Sequence, residues 1–202
     1  MGPFELARPK SVPEAARALS GDAAFLAGGH TLIPAMKSRL RSVETLIDLS
    51  LLPGLAEIRR DGDTLVVGAM ARHAAVAASP VVLAAIPGLA CLAAGIGDPQ
   101  VRNRGTIGGS VANNDPAADY PAALLALGAA IETSDGVHAA DDPLALAQRI
   151  GVENAGESFL LIGAPPLVDL VEDRRLWDPA VDGQAEGAFA DEDVASERLE
   201  GP

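Results

Sequence analysis

The chain has 202 residues, of which 49 % are hydrophobic and only 3 % aromatic, with a formal net charge of −13. That length suits one medium domain or two small ones, and an alanine-rich composition implies a core of small elements packed closely. Lys10 and Lys37 are its only lysines, which removes the basic patches that nucleic-acid binding and polybasic membrane attachment rest on. Residues 4 to 9 read as a strand, and 11 to 19 as a helix with Ser11 as its cap and Pro13 in its first turn. Residues 22 to 29 return as a strand ending at paired glycines, so the chain opens β-α-β. A short helix interrupted early by Pro34 and a buried strand in "VETLIDLS" follow.

Residues 55 to 73 carry a hairpin signal, with an Asp61-Gly62 turn leading into the apolar run Leu65-Val66-Val67. Two helical pieces are expected at 73 to 78 and 80 to 94, then a long glycine loop. Next come a helix through Leu127, a stop at Gly128 and a strand, with a second Asp-Gly turn at Asp135-Gly136. No formally charged residue occurs from His73 to Gly97, a length that would suit a membrane span, but Ser79-Pro80 and Pro87-Gly88 break it. No secretory leader is expected, because Glu5, Arg8 and Lys10 interrupt the opening residues. Cys91 lies in "GLACLAAG" and is expected to be a buried thiol. One cysteine and three histidines argue against a structural zinc or iron–sulfur site, so no metal ligands are assigned. From about residue 143 the chain turns acidic, and its end has no apolar periodicity, which predicts disorder there.

The two glycine-rich segments carry the chemistry. "AGGHT", Ala27 to Thr31, and "TIGGS", Thr106 to Ser110, each place paired glycines before a hydroxyl residue. A diphosphate is held by cations, by a helix N-terminus or by successive backbone amides, and this chain has few cations to offer. Neither GxxxxGK[ST] nor a full GxGxxG is present, which excludes a P-loop and a Rossmann fingerprint. Taken singly, each glycine pair also reads as a plain turn. Together, with Arg102 and Arg104 before the second and Asn113, Asn114, Asp115 and Asp119 after it, they suit a dinucleotide. An acidic residue about nine positions past the loop can hold a ribose hydroxyl pair.

The segments "AGGHTLIPAMK" and "GDPQVRNRGTIGGSVANNDPAADYPAALLALGA" resemble the two flavin-binding segments of the molybdenum hydroxylases. The match is to the medium subunit of the carbon monoxide dehydrogenase type and the equivalent domain of xanthine dehydrogenases. The resemblance spans roughly residues 3 to 142. It implies an α+β fold of the vanillyl-alcohol-oxidase-like (PCMH) type, with FAD extended between an N-terminal subdomain, residues 1–54, and a second one, residues 55–142. Carried over residue by residue, Ala27, Gly28, Gly29, His30 and Thr31 would line the diphosphate in the first subdomain. Thr106, Ile107, Gly108, Gly109 and Ser110 would do so in the second, and Asp119 would face the adenosine ribose. Asn113 and Asn114 would stiffen the loop or touch the flavin side, and His30 reads as a satisfied loop histidine rather than a proton donor. No catalytic acid or base is assigned.

The function implied is that of a cytoplasmic FAD-dependent electron-transfer subunit. An iron–sulfur small subunit would supply its electrons and a molybdenum-cofactor large subunit would oxidise the substrate. Residues 143–202 do not match the family pattern, through divergence, truncation or a change of frame near Asp142. This leaves open a second expectation, a noncatalytic dinucleotide-binding or partner-docking remnant.

Overall fold

The structure is a computed structural model and describes residues 2–113, 115, 117–133, 136–139 and 162–163. Its first part is a parallel sheet of three short strands. These are β1 (Glu5–Ala7), β2 (Ala23–Leu26) and β3 (Thr45–Asp48), in the order β1-β3-β2. Helix α1 (Val12–Ala18) starts where the sequence says it should. Ser11 accepts from the amide of Glu14, and Glu14 reaches back to the amide of Lys10 at 2.8 Å, satisfying donors that a helix start leaves orphaned. Side chains alternate across β3. Ile47 joins Ala15, Leu49 and Leu52 on the α1 face, while Leu46 joins Ala24, Met36 and Val43 on the other. The sheet is thus covered on both faces.

Helix α2 (Leu32–Lys37) runs through Pro34 without interruption, contrary to expectation. Pro34 is the helix's third residue, and first-turn amides have no intrahelical acceptor, so the missing N–H costs nothing.

The second part begins with the antiparallel hairpin β4 (Ile58–Asp61) and β5 (Thr64–Val67). Asp61 pairs with Thr64, so the two-residue loop is Gly62-Asp63, one residue later than read from sequence. Gly62 takes φ +57, a conformation that favours glycine. Helices α3 (His73–Ala78), α4 (Pro80–Ala85) and α5 (Pro87–Gly95) follow, where one piece was expected from 80 to 94. The break is local: Ile86 precedes a proline and is driven out of the helical region, to φ −142 and ψ 76.

Much of the long glycine loop is helical, as α6 (Pro99–Arg102) and α7 (Ile107–Asn113). Helix α8 (Asp119–Ala126) ends as predicted. Gly128, at φ +56, donates to the carbonyl of Leu125, and Ala129 donates to that of Leu124, the paired bonds of a glycine helix stop. Strand β6 (Ala130–Thr133) pairs antiparallel with β7 (Gly136–Ala139) and with β8 (Ile162–Gly163), which lies beside β5. Thr133 pairs with Gly136, so Gly136 is the first residue of β7 rather than part of the loop, and the rest of the expected Asp135-Gly136 turn lies outside the described residues. So does all of the acidic tail apart from Ile162 and Gly163.

Cys91 is exposed, not buried. Helix α5 buries Leu89, Ala90 and Ala93, and Cys91 falls on the opposite side. Among the described residues no helix is long and apolar enough to cross a membrane, and no cluster of His, Cys, Asp or Glu is arranged to hold a metal ion.

Candidate functional site

The first glycine segment leaves the C-terminal end of β2 and turns into α2. Gly29 takes φ +74, a conformation that favours glycine, and Thr31 lies in the right-handed helical region at the start of α2. Among the described residues the amides of Gly28, Gly29, His30 and Thr31 donate to no protein acceptor. The carbonyls are engaged: that of Gly29 accepts from Ile33 at 3.1 Å and that of Thr31 from Ala35 at 3.1 Å. The Thr31 hydroxyl makes no capping bond. Four adjacent unpaired donors on a stiff turn suit an anion.

The second segment is built differently. Its backbone runs antiparallel to Ala69–His73: His73 donates to the carbonyl of Gly105 at 3.1 Å, Ile107 to that of Ala71 at 3.0 Å, and Gly108 to that of Ala69 at 2.9 Å. Between these bonds Arg72 and Thr106 face each other across an isolated bridge. The Thr106 hydroxyl accepts from the Gly109 amide at 3.1 Å, and the Thr106 carbonyl accepts from Ser110 at 3.0 Å. Most amides of this segment are therefore already used by the protein. Its glycines serve close approach instead. A Cβ on Gly108 would lie 2.6 Å from the Ala69 side chain, and one on Gly109 would lie 2.8 Å from the Thr106 hydroxyl.

The two segments meet. A Cβ on Gly28 would collide with the carbonyl of Arg104 and lie 2.9 Å from Cα of Gly105, while one on Gly109 would sit 3.8 Å from the Ala27 methyl. Between them opens a cleft of about 590 Å³, within the size range of cofactor pockets. Ala27, Gly28, Gly29, His30, Thr31, Thr106, Gly108, Gly109, Ser110 and Asn113 all line it.

Two candidates stand apart. Ile107 is fully buried, its side chain in the core, and contributes to the segment through its backbone. Asp119, the first residue of α8, is exposed and off the cleft wall; the acid that lines the cleft is Asp115, whose carboxylate accepts from the amide of Ala117 at 2.9 Å. Asn114 lies outside the described residues. Arg102 turns inward and donates to the carbonyls of Ile96 and Gly97 at 3.1 and 2.7 Å, so it braces its own loop.

Sequence reading missed Arg41, Met70 and His73, which also line the cleft. Arg41 is exposed and makes no ion pair among the described residues, which leaves its charge open to a ligand. His73 is buried. Burial lowers its pKa below the ordinary histidine value, and the nearby His30 acts in the same direction, so the ring is neutral near neutral pH. None of the three carries a local motif; the cleft brings them together only in the fold.

Two walls made of glycine backbone, with a run of amides unpaired among the described residues on one of them, suit an extended diphosphate-containing cofactor. A family model described as "FAD binding domain in molybdopterin dehydrogenase" matches residues 2–145. The chain belongs to that family.

It is similar to the carbon monoxide dehydrogenase medium chain of Hydrogenophaga pseudoflava, 49 % identical over 127 residues that make up 61 % of this chain and 44 % of the relative. A 6-hydroxypseudooxynicotine dehydrogenase complex subunit alpha of Paenarthrobacter nicotinovorans is 43 % identical over 129 residues, 62 % of this chain and 44 % of the relative. Among solved structures, carbon monoxide dehydrogenase from Hydrogenophaga pseudoflava superposes with a TM-score of 0.72 at 41 % identity, covering 82 % of this chain and 60 % of that one. Quinoline 2-oxidoreductase from Pseudomonas putida 86 gives a TM-score of 0.72 at 32 % identity, with 83 % and 60 % covered. The chain thus spans less than half the length of the curated relatives it matches. The α+β architecture, the flavoprotein class and FAD as cofactor agree with the sequence reading.

Proposed function

We propose that the cleft holds FAD with its diphosphate on the amides of Gly28 to Thr31, against the backbone wall of Thr106 to Ser110. The observation that carries this is the row of four unpaired amides facing glycines that a Cβ would drive apart. Thr31 and Ser110 add hydroxyls at the two ends, and Arg41 offers a cation that has no ion-pair partner among the described residues. When bound, the flavin supplies the capacity to accept and release electrons, while the chain orients it and limits its contact with water.

On this reading the chain is an electron-transfer subunit of a molybdenum-containing hydroxylase in the cytoplasm. It takes electrons from an iron–sulfur small subunit, while a molybdenum-cofactor large subunit oxidises the substrate. The names of the relatives support that role, one being a dehydrogenase medium chain and another a subunit of a dehydrogenase complex.

The test has two stages. Purified chain is equilibrated with FAD or FMN and the retained flavin is measured after gel filtration; FAD is expected to be retained over FMN. Iron–sulfur and molybdenum subunits are then added with substrate, and flavin bleaching is followed anaerobically. Bleaching that requires both partners supports the role. Failure to retain FAD at all overturns the cofactor reading, whereas FAD retained but never bleached leaves a noncatalytic binding module.

A further inference from the structure

Beneath the second glycine segment lie two buried polar atoms with no hydrogen-bond partner, Nδ1 of His73 and the hydroxyl of Tyr120. They belong to neighbouring rings, with centroids 5.3 Å apart and planes tilted by 42°. Tyr120 is 0 % exposed and His73 only 5 %. A buried hydroxyl and a buried ring nitrogen left unpaired each carry a desolvation cost, and the two are chemically complementary. A neutral imidazole protonated on Nε2 has an acceptor at Nδ1, and a phenol has one proton to give.

The other side of the imidazole meets the cofactor wall. Its Nε2 stands against Cα of Gly105, where a Cβ could not fit, and its backbone amide holds the Gly105 carbonyl. His73 lines the cleft while Tyr120 does not, so the histidine is the link between helix α8 and the cleft.

We propose that the Tyr120 hydroxyl donates toward Nδ1 of His73 through one enclosed water, and that this pair positions the Gly105–Thr106 backbone against which Gly28 packs. His73 is then a positioning residue. Neutral, it accepts from Tyr120 and seats the turn; protonated, it gains a second N–H where only a donor waits, and the seat is lost. This rests on the FAD reading for its consequence but not for the hydrogen bond itself.

The titratable groups on the surrounding elements bear on the sign. His30, on the first glycine segment, acts against a charge on His73. Asp119 adjoins Tyr120 and, with burial, keeps the phenol protonated. Arg102 of α6 is tied to its own loop, Cys91 of α5 is exposed, and Arg72 directly precedes His73. Asp115 shares the cleft and is engaged by Ala117. Burial and His30 both disfavour the imidazolium, and among the described residues no carboxylate offsets them. Protonation of the folded chain therefore lags behind that of an unfolded histidine at 6.5.

Tyr120 is the chain's sole tyrosine, so a [13Cζ]tyrosine label gives one resonance. In the full chain without flavin, that resonance should shift with an acid midpoint below 6.5, the ordinary histidine value. The shift should vanish in His73→Gln and persist in His30→Gln. FAD affinity should fall several-fold across the same midpoint, and Tyr120→Phe, which keeps the ring and its volume, should flatten that dependence. A flat tyrosine titration, or one surviving His73→Gln, overturns the hydrogen bond. An FAD profile unaltered by Tyr120→Phe overturns the positioning role. If no pH allows FAD retention, the cofactor reading fails while the tyrosine titration still decides the pair.

Discussion

Gly28 packs its α-carbon against the carbonyl of Arg104 so closely that a methyl group there would occupy space the oxygen already holds. This contact joins the end of β2 to the start of the second glycine segment, and the cleft opens beside it. A carbonyl fixed in backbone cannot swing aside as a side chain can. Gly28→Ala should therefore separate the two walls, at about 1–3 kcal/mol of stability, and weaken FAD binding by roughly tenfold or more for each 1.4 kcal/mol lost from the grip. Gly88→Ala is the control, since nothing lies within 4 Å of a Cβ there. Fluorescence titration and thermal melts check both variants. A Gly28→Ala chain that binds FAD like the parent would separate the contact from the site.

Gly109 answers to a different restraint. Its φ is not positive, so a substitution is opposed by the Thr106 hydroxyl at 2.8 Å and by the narrow gap to Ala27 rather than by backbone conformation. The sequence shows that glycines are needed in both segments but not that the reasons differ. One wall offers open amides, while the other has spent most of its own on the carbonyls of Ala69 and Ala71 and on Thr106. That ladder pairs residues more than thirty positions apart, and no local pattern announces it.

Much else was legible because it is local. Ser11 with Glu14, the turn around Gly62 and the stop at Gly128 each follow from one or two residues and their neighbours. Pro87 was legible as a breaker but was undervalued as the start of a new helix. His73 and Tyr120 were invisible because their burial is a tertiary fact: nothing within three residues of either indicates that the two rings meet.

Cys91 shows the same limit in reverse. In "GLACLAAG" every residue is apolar or small, so composition contains no polar face from which to read orientation. The fold turns Leu89, Ala90 and Ala93 inward and leaves the thiol outside. The native chain should accordingly react with a maleimide to one equivalent without denaturant, at a rate little changed by adding it. Labelling that requires unfolding would place the thiol back in the core.

Asp48 closes the first sheet at the end of β3. Burial pushes its pKa up, but the Ser50 amide at 2.9 Å, the Ser50 hydroxyl and the Arg8 guanidinium at 3.7 Å outweigh it, so the net shift is downward from 3.8. A depressed carboxylate contributes stability that is fully present above the unfolded pKa and is lost as pH falls through the lower, folded value. Asp48→Asn should remove part of the acid limb of the stability curve. At neutral pH it should cost on the order of 1 kcal/mol for the weakened hydrogen bonding. Urea titrations of parent and variant at several pH values measure both. An acid limb identical in the two chains would show that Asp48 does not set it.

On the proposed FAD reading, Asp119 would serve the adenosine end of the site, with Asp115 nearby on the cleft wall. Asp115 lines the cleft, yet its carboxylate is engaged by the Ala117 amide, which stiffens the turn into α8. Asp119, exposed at the start of α8 and just off the cleft wall, has no hydrogen-bond or ion-pair partner among the described residues, which leaves its carboxylate open to a ribose hydroxyl pair reaching past Asn113. A lost hydrogen-bonded carboxylate is worth about 1–2 kcal/mol, or roughly five- to thirtyfold in affinity. The consequence is specific to the ligand, because FMN has no adenosine to lose. Asp119→Ala should weaken FAD by that amount and leave the weaker FMN binding unchanged. Asp115→Ala, which loosens the turn itself, should lower the melting temperature and affect FAD only through it. Calorimetric titration of both flavins into the three chains distinguishes these outcomes. Equal losses for FAD and FMN in Asp119→Ala would mean that the residue supports the loop and does not touch the adenosine.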